Sequence, residues 1–99
     1  GAYLAKLSRR FGGNPVLIAA AYNAGPSRAK AWIKKQGDPR KKSVDVIDWI
    51  EMIPYAETRN YIMRVTESLP IYRARLGRQV LPVSFSKELT GAGLLPLSQ

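Results

Sequence analysis

The side chains available for chemistry in this 99-residue chain are carboxylates, phenols, hydroxyls, amides, amines and guanidinium groups, because it contains neither histidine nor cysteine. Their absence excludes Ser-His and Cys-His nucleophilic catalysis and removes the commonest ligand for transition metals. Disulfides and thiolate metal sites are excluded as well. We therefore expect no cofactor, and we look for an acid, a phenol or an amide held together by neighbouring elements.

A first candidate group is the segment Ala21-Tyr22-Asn23-Ala24-Gly25-Pro26. It lies at the C-terminal end of a predicted apolar helix, where Tyr22 and Asn23 are the two polar side chains. The residues alone leave two interpretations open. Either the phenol and the amide face a cleft, or Tyr22 packs in the core while Asn23 bonds nearby carbonyl groups.

A second candidate group contains Glu57 and Tyr61, which are four residues apart and therefore share one face of a predicted helix. Glu57 lies in the first turn of that helix, where the helix dipole favours its charged form. An acid at a helix start is ordinary, so a purely structural role remains open. The functional interpretation is a carboxylate and a phenol that converge on one ligand.

A third pattern favours a different class of protein. The predicted helices on either side of Gly25 resemble a helix-turn-helix, with Arg28, Lys30, Lys34 and Lys35 on the second helix. The chain has 16 Lys and Arg against 7 Asp and Glu, a net charge of +9, and its first 42 residues hold ten of the bases and one acid. Composition alone thus favours a basic nucleic-acid-binding module, which we keep as the alternative function.

The elements that must position these groups are helices, because apolar residues recur at helical spacing through most of the chain. About five helices are predicted, with starts near Tyr3, Pro15, Pro26, Asp45 and Ala56. Asn14-Pro15 is a strong start signal, because Asn accepts from free N–H groups and Pro fits the first turn. The last predicted helix presents one apolar stripe, formed by Tyr61, Ile62, Val65, Leu69 and Tyr72. Pro70 falls inside this stripe, so it is expected to kink or break that helix.

Both ends of the chain read differently from its centre. From Arg78 on, prolines and glycines interrupt every pattern, which predicts an extended arm over residues 78–99 with a short strand at Val80–Phe85. The longest apolar run, Val16 to Tyr22, is far shorter than the ~20 residues that a membrane span needs. The first residues carry no Met and no signal-peptide pattern, so we expect the chain to be a fragment or a processed product.

The quoted motifs, taken together, resemble the soluble lytic transglycosylases, which are bacterial peptidoglycan-cleaving enzymes with a goose-type lysozyme fold. The resemblance extends over residues 1–77, and its segments are 3–4, 11–14, 21–26, Trp32, 48–62 and 71–73. Two of its motifs, AYNAG at 21–25 and IPYAETRNYI at 53–62, occur in this order about thirty residues apart. Together the two motifs are specific for this family, whereas either motif alone is only moderately specific.

The resemblance implies cleavage of the β-1,4 bond between N-acetylmuramic acid and N-acetylglucosamine without added water, which gives 1,6-anhydro products. One glutamic acid acts first as acid and then as base. Tyr22 and Asn23 match the AYNAG pair close to that acid, and Ala24 belongs to the same motif. Glu57 and Tyr61 match the acid and tyrosine of the family's ETxxY motif, which line the sugar-binding groove.

One departure from the family pattern limits what this chain does alone. In the family the catalytic Glu lies in a Glu-Ser motif, followed by a Gly-Leu-Met-Gln-type segment, both upstream of AYNAG, and neither precedes Ala21 in this sequence. The resemblance therefore implies an all-α, lysozyme-like domain over residues 1–77 that lacks its N-terminal portion. This chain would supply groove residues but no catalytic residue, and we predict that it is inactive alone.

Partners and location follow from the same resemblance. We expect a peptidoglycan glycan strand as ligand, no nucleic acid and no membrane span, in the periplasm or cell envelope. The apolar helix Asn14–Ala24 would lie at the centre of the domain with one side bare. The missing N-terminal segment or another chain is expected to cover that side, because exposed apolar surface is a liability.

Overall fold

The computed structural model describes residues 1–76, and the regular structure of this part of the chain is α-helical. Its helices are α1 Ala2–Arg10, α2 Pro15–Ala24, α3 Pro26–Gln36, α4 Val46–Glu51, α5 Ala56–Glu67 and α6 Pro70–Leu76. The all-α prediction is confirmed over these residues, with a sixth helix beyond the five expected. The predicted arm at 78–99 and its strand lie outside the described residues.

Helix α2 begins and ends where the sequence signals predict. The Asn14 side-chain oxygen accepts a hydrogen bond from the Leu17 N–H at 3.0 Å, and Pro15 occupies the first helical position. At the other end, Gly25 has φ 101°, a conformation that glycine adopts without the penalty of a Cβ atom. Helix α3 begins at the next residue, so Gly25 alone separates the two helices. A helix-turn-helix uses a turn of about three or four residues, so the predicted likeness does not extend to this geometry.

Helix α2 lies at the centre of the described helices and packs against α1, α3 and α5. Val16, Leu17 and residues 19–21 are buried, and Ile18 and Ala24 are partly buried. The predicted bare side of α2 is therefore much narrower than expected, because helices of the chain itself surround it. Its exposed remainder is mainly the Tyr22 side chain, which is 50% exposed.

The segment between α3 and α4 is fixed by Trp49, whose side chain is fully buried. Its indole N–H donates to the Gly37 carbonyl at 2.8 Å, and the Gln36 amide donates to the Trp49 carbonyl at 3.0 Å. At the end of the segment, the Asp45 carboxylate accepts from two N–H groups of the first turn of α4, at 2.9 and 3.0 Å. The polar 37–45 loop is thus held at both ends.

Helix α5 ends at Glu67 and a new helix starts at Pro70, so the proline breaks the apolar stripe as predicted. The buried face of α5 differs from the predicted stripe of Tyr61, Ile62, Val65, Leu69 and Tyr72. The buried side chains on this helix are those of Thr58, Ile62, Met63 and Thr66, with Tyr61 and Val65 only partly buried. Thr66 tolerates burial because its hydroxyl donates to the Ile62 carbonyl at 2.9 Å.

Candidate functional site

Three tyrosine rings from three helices form a row on one face of the molecule. Tyr22 of α2 stacks on Tyr61 of α5, with ring centroids 6.3 Å apart and an interplanar angle of 20°. Tyr3 of α1 continues the row on the other side of Tyr22, at 6.1 Å and 41°. Both separations lie within the range of favourable aromatic pairs. We call Tyr3, Tyr22 and Tyr61 the aromatic row.

A partly buried hydrogen bond also joins the two helices that carry Tyr22 and Tyr61. The Thr58 hydroxyl of α5 donates to the Asn23 side-chain oxygen of α2 at 2.6 Å. Thr58 is 3% exposed, whereas Asn23 is partly exposed, so the bond is shielded from water on the Thr58 side. Because the Asn23 oxygen accepts from Thr58, its amide nitrogen retains two N–H groups that can donate elsewhere.

Glu57 and Ala24 complete the predicted set in different ways. Glu57 is exposed in the first turn of α5, and its four-residue spacing places it on the same helix face as Tyr61. Within residues 1–76 its carboxylate has no ion-pair partner. Ala24 is partly buried against the core, and its carbonyl accepts from an Arg28 N–H at 3.3 Å.

The structure thus brings Tyr22, Asn23 and Tyr61 together by direct contacts across α2 and α5. Glu57 precedes Thr58 in the chain and lies four residues before Tyr61, so it shares the face of α5 that carries Tyr61. Sequence reasoning missed two contributors, Tyr3 and Thr58. Tyr3 falls within the segment that resembles the family, and Thr58 within the motif around Glu57, but no local signal pairs either residue with α2.

Electrostatics at this face favour a neutral phenol at Tyr61. Partial burial raises the pKa of the Tyr61 hydroxyl above its ordinary value, the neighbouring Tyr22 adds to the shift, and Arg64 opposes it. The Arg64 guanidinium lies 6.0 Å from the Tyr61 ring centroid. Tyr61 therefore keeps its proton throughout the neutral range and can donate a hydrogen bond.

The chemistry of this face is that of binding. Tyr3 and Tyr22 are about half exposed and Leu4 is 42% exposed beside them, so apolar rings are offered to a ligand. A general acid that works near neutral pH needs an apolar, partly dry site. Glu57 is exposed at a helix start, so it suits hydrogen bonding to a ligand better than proton donation.

Of the four basic residues on α3, Arg28 contacts another part of the protein, whereas Lys30, Lys34 and Lys35 are exposed. The Arg28 side chain donates to the Tyr55 hydroxyl at 2.8 Å, and Tyr55 packs edge-on against Trp32 with ring centroids 5.7 Å apart. Trp32 and Ala29 are buried. These contacts bind α3 to the residues that precede α5.

Comparisons with known proteins agree with the motifs on this face. The transglycosylase SLT domain family matches residues 1–44. The soluble lytic murein transglycosylase of Salmonella typhimurium is 33% identical over 85 residues, which are 86% of this chain and 13% of that protein. The protein of the same name from Escherichia coli K12 is 35% identical over 75 residues, or 76% of this chain and 11% of that protein. No solved structure matches the chain significantly.

Two further facts concern how this chain compares with these relatives and with membrane proteins. The chain spans only about an eighth of the length of these curated relatives. Among residues 1–76, no helix is long and apolar enough to cross a membrane.

The all-α architecture of the chain fits a lysozyme-like SLT domain, and both motif-bearing helices lie within the part similar to the relatives. The chain is therefore similar to the transglycosylase SLT domain family over residues 1–44 and, over most of its length, to the soluble lytic murein transglycosylases.

Proposed function

We propose that this chain forms one wall of the glycan-binding groove of a peptidoglycan lytic transglycosylase. In this proposal the complete site cleaves the β-1,4 bond between N-acetylmuramic acid and N-acetylglucosamine and leaves 1,6-anhydro products, in the periplasm or cell envelope. The observation that carries the proposal is the contact between the two motifs. Tyr22 stacks on Tyr61, and the hydrogen bond between Thr58 and Asn23 joins the same two helices.

The aromatic row suits a sugar strand because an aromatic ring offers an apolar surface to the face of a pyranose. Its rings come from α1, α2 and α5, so a strand that follows the row contacts all three helices. The Asn23 amide offers N–H donors, and the Glu57 carboxylate accepts hydrogen bonds from sugar hydroxyls and from the N–H of an acetamido group. Stacking and directed hydrogen bonds together give the orientation that a glycosidic cleavage requires.

The catalytic acid is assigned to residues outside these 99. No Glu-Ser motif precedes AYNAG in the sequence, where the one Glu-Ser pair, Glu67-Ser68, lies far downstream, and Glu57 is exposed rather than enclosed in an apolar site. In the proposal, Tyr22, Asn23, Glu57 and Tyr61 bind and orient the glycan, and a glutamic acid supplied by another segment transfers the proton. The chain alone should then bind glycan without cleaving it.

The binding experiment uses an uncharged chitin tetrasaccharide, so that attraction to a chain of net charge +9 does not contribute. We expect Glu57→Gln to weaken binding by about 1–3 kcal/mol, the range for losing charge-assisted hydrogen bonds. Glu51→Gln is the matched control, because Glu51 is also an exposed helical acid but lies at the end of α4. Isothermal calorimetry gives both affinities. Equal affinities for the two variants would contradict the role of Glu57.

The activity experiment distinguishes the residues that bind the glycan from the residue that catalyses its cleavage. The chain incubated with purified peptidoglycan should release no 1,6-anhydro muropeptides, whereas adding or fusing an upstream segment with the Glu-Ser motif should restore release. In the reassembled domain, Tyr22→Phe removes one hydroxyl and little packing, so a large loss of rate indicates a role in the site. Cleavage by the chain alone, or unchanged turnover in Tyr22→Phe, would contradict the corresponding assignment.

A further inference from the structure

A second concave surface is built by α1, α3 and the loop that follows α3. Its volume is about 300 Å³, at the lower end of the range for small-ligand sites. It shares no residue with the aromatic row. We call it the basic pocket, and its lining residues are Arg10, Phe11, Lys30, Ile33, Lys34 and Arg40.

Three of the four cations in the basic pocket form no ion pair with an acid among residues 1–76. Arg40 is paired with Asp38, whose carboxylate it meets at 2.9 Å, and this hydrogen bond lowers the pKa of the Asp38 carboxyl below its ordinary value. Within residues 1–76, no ion pair joins Arg10, Lys30 or Lys34 to an acid. Like charges that converge on one cavity repel each other, and an anion bound between them relieves that repulsion.

The remaining lining of the basic pocket is apolar. Phe11 is 2% exposed and forms part of the core wall, and Ile33 is partly buried against the same core. The aliphatic stems of Lys30 and Lys34 add to this surface while their ammonium groups remain in water. A bare inorganic anion would use only the charges. A ligand with a short aliphatic part and an attached anionic group would use both kinds of wall.

We propose that the basic pocket binds the carboxylates of a short acidic peptide that carries small aliphatic side chains. The guanidinium of Arg10 can hold one carboxylate with two parallel hydrogen bonds. Lys30 and Lys34 are one helical turn apart on α3, so their ammonium groups reach the same ligand. This site takes a ligand different from the glycan, and it stands whether or not the aromatic row binds sugar.

The test measures binding of the tetrapeptide Ala-Glu-Ala-Ala with free carboxylates to the full 99-residue chain. Both peptides are N-acetylated, and the comparator is the Ala-Gln-Ala-Ala amide, which is then uncharged. Titration is followed by NMR at the backbone amides, which reports both affinity and the place of binding. We expect the largest shifts around Arg10 and along α3 from Lys30 to Lys34, and at least tenfold weaker binding of the uncharged comparator.

Charge-neutral variants test the individual cations. Lys34→Gln should weaken peptide binding about threefold and Lys30→Gln with Lys34→Gln about tenfold, as expected for partly solvated ion pairs. Lys35→Gln is the matched control, because Lys35 is the adjacent exposed lysine on α3 and does not line this pocket. It should change the affinity by less than about twofold. All these side chains are exposed, so the variants are expected to fold, and thermal unfolding verifies this.

Four results would overturn the proposal. Equal weakening by Lys34→Gln and Lys35→Gln would mean that only the general positive field attracts the peptide. Equal binding of the two peptides would mean that the carboxylates are not recognised. Inorganic phosphate that displaces the peptide at equal concentration would assign the pocket to phosphate groups instead. Duplex DNA that binds the pocket far more tightly than the peptide would lead to the same assignment.

Discussion

The aromatic row and the basic pocket lie on the same small helical scaffold, but they depend on it in different ways. The row exists because Tyr22 and Tyr61 meet across α2 and α5, two helices that the hydrogen bond between Thr58 and Asn23 also joins. The basic pocket consists mainly of exposed cations, which act through a field that extends beyond contact distance. Changes beneath the surface should therefore disturb the row, whereas changes in the solvent should disturb the pocket.

The largest effect is expected from a change that removes both surfaces together. Trp49→Ala deletes a fully buried side chain and leaves the Gly37 carbonyl without its indole donor. The expected loss is about 3–5 kcal/mol in the free energy of unfolding, a large share of a small domain's total. Denaturant titration measures it. Met52→Ala, at a side chain 53% exposed, should cost less than about 0.5 kcal/mol. Similar losses for both variants would contradict the central role of Trp49.

The second prediction separates the two surfaces. Thr58→Val removes the hydroxyl that donates to Asn23, so the Asn23 oxygen loses its partner, at a cost of about 1–3 kcal/mol. Chitin-oligosaccharide affinity should fall, because the Asn23 amide is no longer oriented, whereas binding of the acidic peptide should be unchanged.

Thr66→Val is the matched control for this variant. Thr66 is equally buried on α5, but its hydroxyl bonds the Ile62 carbonyl of its own helix, which the helical ladder also satisfies. It should lose less stability and keep its glycan affinity. Calorimetry with both ligands and denaturant titration give the comparison. Equal loss of glycan affinity in the two variants would show that α5 stability, rather than the bond to Asn23, matters.

Ionic strength distinguishes ligand binding at the basic pocket from ligand binding at the aromatic row, without any substitution. Raising the ionic strength from about 0.05 M to about 0.5 M shortens the screening length to a few ångströms. We expect about tenfold weaker binding of the acidic peptide and less than about twofold change for the uncharged oligosaccharide. Parallel titrations of the two ligands at several salt concentrations measure the slopes. Equal slopes would mean that both ligands use the same surface.

The smallest expected effect is the alkaline titration of Tyr61. Its pKa is raised in the folded state, so above pH 10 the unfolded chain releases this proton first. The contribution of Tyr61 to stability is therefore fully present below pH 10 and is lost as the pH rises through its folded-state pKa. Tyr61→Phe should flatten the fall in stability above pH 10. Tyr22→Ala should let Tyr61 titrate at lower pH, as followed by NMR of its ring. No change in either measurement would contradict burial against Tyr22 as the cause.

The helices and their ends were predictable, because their signals are local. Asn14 and Pro15 start α2 by contacts within four residues, and Pro70 breaks the helix through its own ring. The buried face of α5 was harder to predict. Thr58 and Thr66 look polar in sequence, and their burial depends on acceptors that only the folded chain supplies.

The candidate site was predictable in its residues and not in its contacts. The motifs around Tyr22 and Glu57 stand out in the sequence, but the stacking of Tyr22 on Tyr61 depends on how α2 and α5 pack. The sequence does not predict the basic pocket for the same reason, because the pocket also depends on how the helices pack. The sequence groups Lys30 and Lys34 on one predicted recognition helix, whereas the cavity combines them with Arg10 of a different helix and Arg40 of the loop after α3.

The sequence by itself determined the helical class, the start of α2, the break at Pro70, the excess of positive charge and the motifs of the SLT domain family, because each depends on residue type or on short spacing along the chain. Only the tertiary structure decided which side of α2 stays exposed, that Thr58 holds Asn23, that three tyrosines form a row, and that the lysines of α3 share a cavity with Arg10. These are contacts between segments far apart in sequence, and their geometry is set by how buried side chains pack, which no local pattern encodes.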